Sequence, residues 1–417
     1  MTRVIGLMSG TSYDGIDVAA ADLTLDGDEI VLTPLGALEQ PHEDEVRDLI
    51  GRVLPPERVE MADVCRLDTL LGQSFAAAAA RGIAELADGR ADLVVSHGQT
   101  VFHWVEWGVV RGTLQLGQPA WITERTGLPV VSDLRARDIT RGGQGAPLVS
   151  ILDVLLLPPG PVAKAALNHG GIANLTLVRP DGTALAYDLG PANALIDLAC
   201  RRYFDEPYDV DGRHAAAGRL HAGLLAALLA EPYYDRPAPK STGKELFHPG
   251  YLDAHLSAFP DLAPDDVIAT LTDLTATVVE RECRTHRIGE LIVSGGGVRN
   301  PSLMRRLSER LGGPGPQAET VVRPIDDHGL PADAKEAYAF ALLGFLTWHG
   351  LPATVPACTG AREAALLGSL TPGAGPLTLP PPSAAAPTRL RIRPAGARGS
   401  THDGNDDRDH RVGDRAT

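Results

Sequence analysis

The stretch GLMSGTSYDGID, residues 6–17, decides how the chain is read. It sets Gly6, Gly10 and Gly15 among Ser9, Thr11 and Ser12, with Asp14 and Asp17 on either side of the last glycine. Ahead of it and overlapping its start, VIGL (4–7) reads as a short buried strand. Overlapping its end, IDVAAADLTL (16–25) reads as a second, and EIVLTPLGAL (29–38), past the turn residues Asp26, Gly27 and Asp28, as a third. The opening is an antiparallel meander, and its first turn leaves backbone N–H groups bare. Such a turn can hold an anion, and glycine lets the backbone approach it closely.

The pattern returns at AKAALNHGGIANLTLVRPDGTALAYDLG (163–190): strand, Gly-Gly turn, strand, Asp-Gly turn, strand, then an acid beside a glycine, with a helix expected at 191–205. Two three-strand units with a glycine turn at the same place predict a duplicated α/β domain with a cleft between the copies. A long helix is expected at 64–87, and ADLVVSHGQT (91–100) and LPVVSDLRARD (128–138) as strands with polar ends. ELIVSGGGVRN (290–300) reads as a strand ending in three glycines, and DAKEAYAFALLGFLTWHG (333–350) as an amphipathic helix. Ligands of open α/β sheets collect at such strand ends. From 371 the chain turns to Pro, Ala and Gly and then to charge, which predicts a disordered tail.

The bulk properties narrow the function. At 417 residues the chain suits two domains. A net charge of −15 without a basic patch argues against nucleic-acid and anionic-membrane partners. Cys65, Cys200, Cys283 and Cys358 are far apart, with no C-x-x-C pair, and read as reduced core thiols. No apolar run approaches the length of a membrane span, and the N-terminus does not read as a signal peptide, so a cytoplasmic enzyme is expected.

Three glycine clusters, at 6–15, 170–171 and 295–297, end strands and together suit a polyphosphate. No Walker A sequence is present; STGKE (241–245) lacks its spacing. Asp14, Asp17 and Asp188 stand beside these turns, where an acid holds Mg²⁺ through water, takes a proton, or caps a turn or helix. His97, Gln99, Thr100 and His103 cluster near one strand end, and Gln115, Gln118, Arg135, Asp138 and Gln144 follow in polar loops. Amides, a carboxylate and a guanidinium of this kind read sugar hydroxyls, an N-acetyl group and a carboxylate. The spacing of His97 and His103 suits a metal poorly. PKSTGKE (239–245) reads as a solvated loop before it reads as a phosphate or closure contact.

These segments resemble one family in order along residues 3–370. The opening stretch, SHGQTVFH (96–103), TLQLGQPAWI (113–122), DLRARDITRGGQGAPLV (133–149), NHGGIANLT (168–176), YDLGPANALID (187–197), PKSTGKELF (239–247), SGGGVRNPSLM (294–304) and DAKEAYAFALLG (333–344) are similar to the signatures of anhydro-N-acetylmuramic acid kinases. The resemblance implies an α/β fold of duplicated actin-like, ribonuclease-H-like ATPase domains with a nucleotide cleft between them. It divides the chain into a first domain at 1–135, a second at 136–370 and the tail at 371–417. It implies cleavage of the 1,6-anhydro bond and phosphorylation at O6 of the sugar, using ATP and Mg²⁺, on a route that recycles cell-wall sugar.

Carried over by position, Asp188 matches the catalytic base and Glu336 an acid near the active site, although by itself Glu336 reads as an exposed helix residue. Gly10, Thr11, Ser12, Tyr13, Asp14, Gly15, Ile16 and Asp17 match the phosphate loop. Gly170, Gly171 and Asn174 match a second turn, and Gly295, Gly296, Gly297 and Asn300 the nucleotide-side turn. His97, Gln99, Thr100, Gln115, Arg135, Asp138 and Gln144 fall in the sugar-site segments. Leu134, His169 and Leu189 depart from the family's usual residues. A conventional sugar kinase acting on a free hydroxyl and a non-catalytic actin-like nucleotide switch are the alternatives. The partners expected are the sugar and ATP, with no nucleic acid and no membrane; a homodimer is left open.

Overall fold

The structure, a computed structural model, describes residues 1–10, 13–243, 245–312, 320–381, 383 and 385–394. Thr11, Ser12, Lys244 and the end of the expected tail lie outside these. The meander forms as its alternation dictates: β1 (Thr2–Ser9), β2 (Gly15–Asp26) and β3 (Glu29–Pro41) pair antiparallel. A two-residue turn joins β2 to β3, with Gly27 in the left-handed region at φ 64° that glycine adopts freely. β4 (Leu93–Glu106) then lies parallel to β1 and runs past its expected end to fold back on β5 (Val109–Leu116), while β6 (Val130–Ser132) lies parallel to β4.

The second lobe repeats the plan. β7 (Ala163–His169), β8 (Ile172–Val178) and β9 (Ala184–Pro191) form the meander, and β10 (Ile288–Ser294) and β11 (Val321–Pro324) continue it in parallel beyond β7. The first sheet therefore runs β3-β2-β1-β4-β6 and the second β9-β8-β7-β10-β11, the same order in two copies. Two short strands are added to the first sheet: β12 (Ser369–Thr371) beside β6 and β13 (Arg389–Ile392) beside β3.

Helices Asp44–Val53 and Met61–Leu86 cover one face of the first sheet. Helices Asn193–Phe204 and Pro264–His286 cover the far face of the second. Between the sheets lie helix Lys335–Trp348 and helix Ser150–Leu156, in one core that takes Val4 and Val95 from the first sheet and Ala166, Val178 and Ile292 from the second.

Several expectations need correction. Helix Lys335–Trp348 is not amphipathic: from Ala337 to Leu346 every residue is buried, because it packs on the first sheet and on helix Ser150–Leu156 inside the core between the lobes. This helix packs on β1, β2 and β4, so the chain beyond about 335 returns to the first lobe instead of ending the second. The tail is not wholly structureless. Leu390 is buried, Arg389 and Arg391 pair with Glu29, and β13 closes the edge that β3 would otherwise expose. Among the cysteines, Cys65 is exposed and the other three are buried.

Candidate active site

Glycine turns from both lobes converge on one cavity of about 800 Å³. Gly10, Asp14, Gly15 and Asp17 line it from the first lobe; Gly170, Gly171, Gly295 and Gly296 line it from the second. The glycines divide into two kinds. A Cβ on Gly15 would press on the Gln40 carbonyl, one on Gly295 on Asn168 and His169, and one on Gly297 on the His169 side chain. Gly295 also adopts φ 82°. Packing and backbone explain these three. Among the described residues, a Cβ at Gly10 or Gly296 would meet nothing within 4 Å, and one at Gly170 or Gly171 nothing closer than 3.7 Å. None of these four has a positive φ. What they leave is bare backbone facing empty space, the surface an anion needs.

Asp17 faces this cavity from β2 with Glu39 directly across on β3. Burial, then Glu39, Glu336 and Asp14, push its carboxyl up to about 7. The turn that carries Asp14 is fixed from beneath by Ser9 and Gln99. The Ser9 hydroxyl shares its proton between Gln99 Oε1 at 2.6 Å and the Gly15 carbonyl at 2.9 Å, and Gln99 Nε2 donates to the Gly10 carbonyl at 3.2 Å. Gln99, 1% exposed, is thus a brace for the first turn rather than a surface that reads a sugar.

A second cavity, of about 160 Å³, adjoins the first. Asn168, Lys335 and Glu336 line both and form the wall between them. Glu336 is half-buried at the start of its helix, not exposed; Asn168 Nδ2 donates to its Oε1 at 3.3 Å, and burial raises its carboxyl against the pull of Arg135 and Lys335. Lys335 is turned inward to Asp153 at 2.6 Å, and Thr176 donates to Asp153 at 2.9 Å. Arg135 lines the smaller cavity. Its Nε donates to His97 Nε2 at 2.9 Å, and one terminal nitrogen donates to the Gly145 carbonyl at 2.7 Å. His97 Nδ1 lies 2.7 Å from the Gly98 carbonyl, so the proton sits on Nδ1 and Nε2 accepts. Burial and the Arg135 charge push this imidazole down to about 3, and it stays neutral. His97 orients the guanidinium.

Asp188 stands on β9 opposite Asn174 of β8, which stands opposite Asn168 of β7. Directly opposed residues share a sheet face, so this polar row leads from Asp188 to the wall of the smaller cavity, which Asn174 and Asn168 line. Asp188 itself lines neither cavity. Burial raises its carboxyl, while the Thr242 N–H at 3.1 Å and the Ser241 hydroxyl at 2.9 Å, both on Oδ2, lower it.

Other expected site residues are placed elsewhere. Asp138 is fully buried and binds the Gly145 N–H and the Thr359 hydroxyl, each at 2.7 Å, which staples its loop. Asn300 caps helix Pro301–Leu311 through the Leu303 N–H at 3.0 Å, and Gly297 is buried against His169. Ile16 is core, and Tyr13 lines a separate surface hollow with Arg47 and Arg52. Gln115 donates to Thr100 at 3.1 Å and Thr113 at 2.7 Å, and the Gln144 side chain is exposed; none of these lines either cavity. Asn168, Asp153 and Lys335 were not anticipated, since only the sheet register and the helix start bring them together.

The family profile described as Anhydro-N-acetylmuramic acid kinase matches residues 2–373. The chain belongs to the anhydro-N-acetylmuramic acid kinase family. It is 58% identical over 392 residues to the anhydro-N-acetylmuramic acid kinase of Streptomyces coelicolor, covering 94% of this chain and 99% of that one. It is 57% identical over 390 residues to that of Streptomyces avermitilis, covering 93% and 99%, and 52% identical over 399 residues to that of Rhodococcus erythropolis, covering 94% and 99%. As a member of the anhydro-N-acetylmuramic acid kinase family the chain is a kinase, and its α/β fold repeats one strand order in two sheets. No helix among the described residues is long and apolar enough to cross a membrane.

Proposed function

We propose that the larger cavity takes ATP, that the smaller takes 1,6-anhydro-N-acetylmuramic acid, and that the product is N-acetylmuramic acid 6-phosphate, released into cell-wall sugar recycling. The carrying observation is the shared wall of Asn168, Lys335 and Glu336. It sets a glycine-lined cavity, suited to a polyphosphate, against a smaller one that holds a fixed guanidinium. A guanidinium oriented by His97 and Gly145 matches a carboxylate, which this sugar carries on its lactyl ether.

The substrate's O6 is tied into the anhydro ring, so phosphorylation needs the ring opened. In the reading favoured here, water bonds to C1 as the C1–O6 bond breaks. O6 bonds to the γ-phosphorus as the bridge to the β-phosphate breaks, and ADP leaves. Asp188 takes the water's proton and later releases it to solvent. Backbone donors at Gly10 and Gly15, and at the second lobe's turns, meet the charge on the phosphoryl oxygens, which is the main demand of phosphoryl transfer. The first lobe's carboxylates fit a divalent cation. Asp14, Asp17 and Glu336 line the cavity, and their mutual repulsion at Asp17 is what a cation relieves. Asp14, Asp17 and Glu336 would hold Mg²⁺ partly through its own waters. Bound there, it would neutralise phosphate charge.

The test is mass spectrometry of the sugar product after incubation with ATP and Mg²⁺ in ¹⁸O-water. One phosphate and one ¹⁸O at C1 are expected from the anhydro sugar. Phosphate without the label points instead to a free-hydroxyl kinase. Asp188→Asn should lower kcat by about 10²–10⁴-fold with binding of both substrates kept; near-normal turnover removes Asp188 from this role.

A further inference from the structure

The segment Lys240–Thr242 reads from sequence as a solvated loop, yet its first side chain is buried. The Lys240 side chain is 5% exposed. Its ammonium donates to the Tyr234 carbonyl at 2.9 Å and the Tyr233 carbonyl at 3.4 Å, lies 5.0 Å over the Tyr233 ring and stands 4.0 Å from Glu282 Oε1. Burying an ammonium is costly unless it is paired and hydrogen-bonded, as this one is. What it fixes is a track along Asp188. The Lys240 carbonyl accepts the Asp188 N–H at 3.0 Å, and the next two residues place the Ser241 hydroxyl and the Thr242 N–H on Asp188 Oδ2. From the other side the Tyr233 hydroxyl donates to the Asp188 carbonyl at 2.8 Å. Tyr187, the residue before Asp188, donates to Glu282 at 2.7 Å, so the anchor and the strand end close on the same acid.

We propose that this segment is a clasp that holds Asp188 as an ionised proton acceptor with a chosen oxygen free, and that Ser241 is its positioning residue. The inference rests on the reading of Asp188 as the base. With two donors on Oδ2, and among the described residues none on Oδ1, the proton arrives at Oδ1. Hydrogen bonds to a carboxylate favour its charged form. They oppose burial and the neighbouring Glu245, both of which favour the neutral acid. Among the described residues, the other titratable groups beside Asp188 are Tyr233, whose hydroxyl donates to the Asp188 carbonyl, and Lys240, whose ammonium is held by the Tyr233 and Tyr234 carbonyls.

The experiment is kcat against pH for the whole chain, with ATP, Mg²⁺ and the anhydro sugar saturating, for wild type, Ser241→Ala, Ser241→Thr and Asp188→Asn. Ser241→Ala removes one donor and leaves the Thr242 N–H. Its acid limb should move to higher pH, with about tenfold loss of kcat on the limb and a smaller loss on the plateau. Ser241→Thr keeps the hydroxyl and should return the limb towards wild type. An unmoved limb in Ser241→Ala, or a loss uniform across pH, overturns the clasp. Near-normal turnover of Asp188→Asn overturns the base reading instead, so the two failures are told apart.

Discussion

At the scale of single residues, Asp17 carries a pH dependence of its own. Its carboxyl rises from 3.8 to about 7 through burial and three neighbouring acids. Between these values the unfolded chain has released the proton that the folded chain still holds. On this group's account stability is full below about pH 4 and is lost as pH rises through 7. Asp17→Asn should therefore melt at a higher temperature than wild type at pH 8 without nucleotide, and at the same temperature near pH 4. Thermal melts at the two values check this; equal shifts at both would remove the cause given. Single residues were also where the sequence misled. Gly6 belongs to the opening stretch, but a Cβ there would overlap the Ala337 carbonyl. Its glycine makes room for a helix and touches no ligand surface. Asp138 and Asn300 carry the right chemistry in the right segments, yet loop and cap geometry claims their oxygens. Local sequence does not show which partner an oxygen will find.

At the scale of elements, the two meanders were legible because alternation and a glycine turn define a hairpin within a dozen residues. Helix Lys335–Trp348 was legible as a helix and not as a buried one. Its polar residues stand in the first turn and its last, and the first sheet and helix Ser150–Leu156 that cover it come from distant sequence. The same contacts explain Glu336, which local pattern puts in solvent and the lobes put between two cavities. The loop at Lys240 failed for the same reason, since its partners Tyr233, Glu282 and Asp188 come from three separate segments. Gly6→Ala tests how tightly the central helix is seated. The obstacle is backbone, which does not swing aside, so we expect a loss of about 1–3 kcal/mol in urea unfolding. A fall in kcat should accompany it, because the displaced turn carries Glu336. Unchanged stability would mean that the helix shifts freely.

At the scale of the whole molecule, the duplication was readable from residues 4–38 and 163–190, and the boundary was not. The chain crosses back at the central helix and then lays β12 and β13 on the first sheet. Composition marked the stretch beyond 371 as unable to fold alone; among its described residues, Arg389–Ile392 borrows an edge of the first sheet. The return crossing also puts one helix start in the wall of both cavities. Two guests leaning on one partition report to each other. If the sugar tightens the hold on nucleotide by some factor, thermodynamic balance obliges the nucleotide to tighten the hold on sugar by the same factor. Calorimetric titration of each ligand with and without the other, using a non-hydrolysable ATP analogue, should give matching ratios above one. Ratios of one in both directions would mean that the partition is rigid and the chambers are deaf to one another.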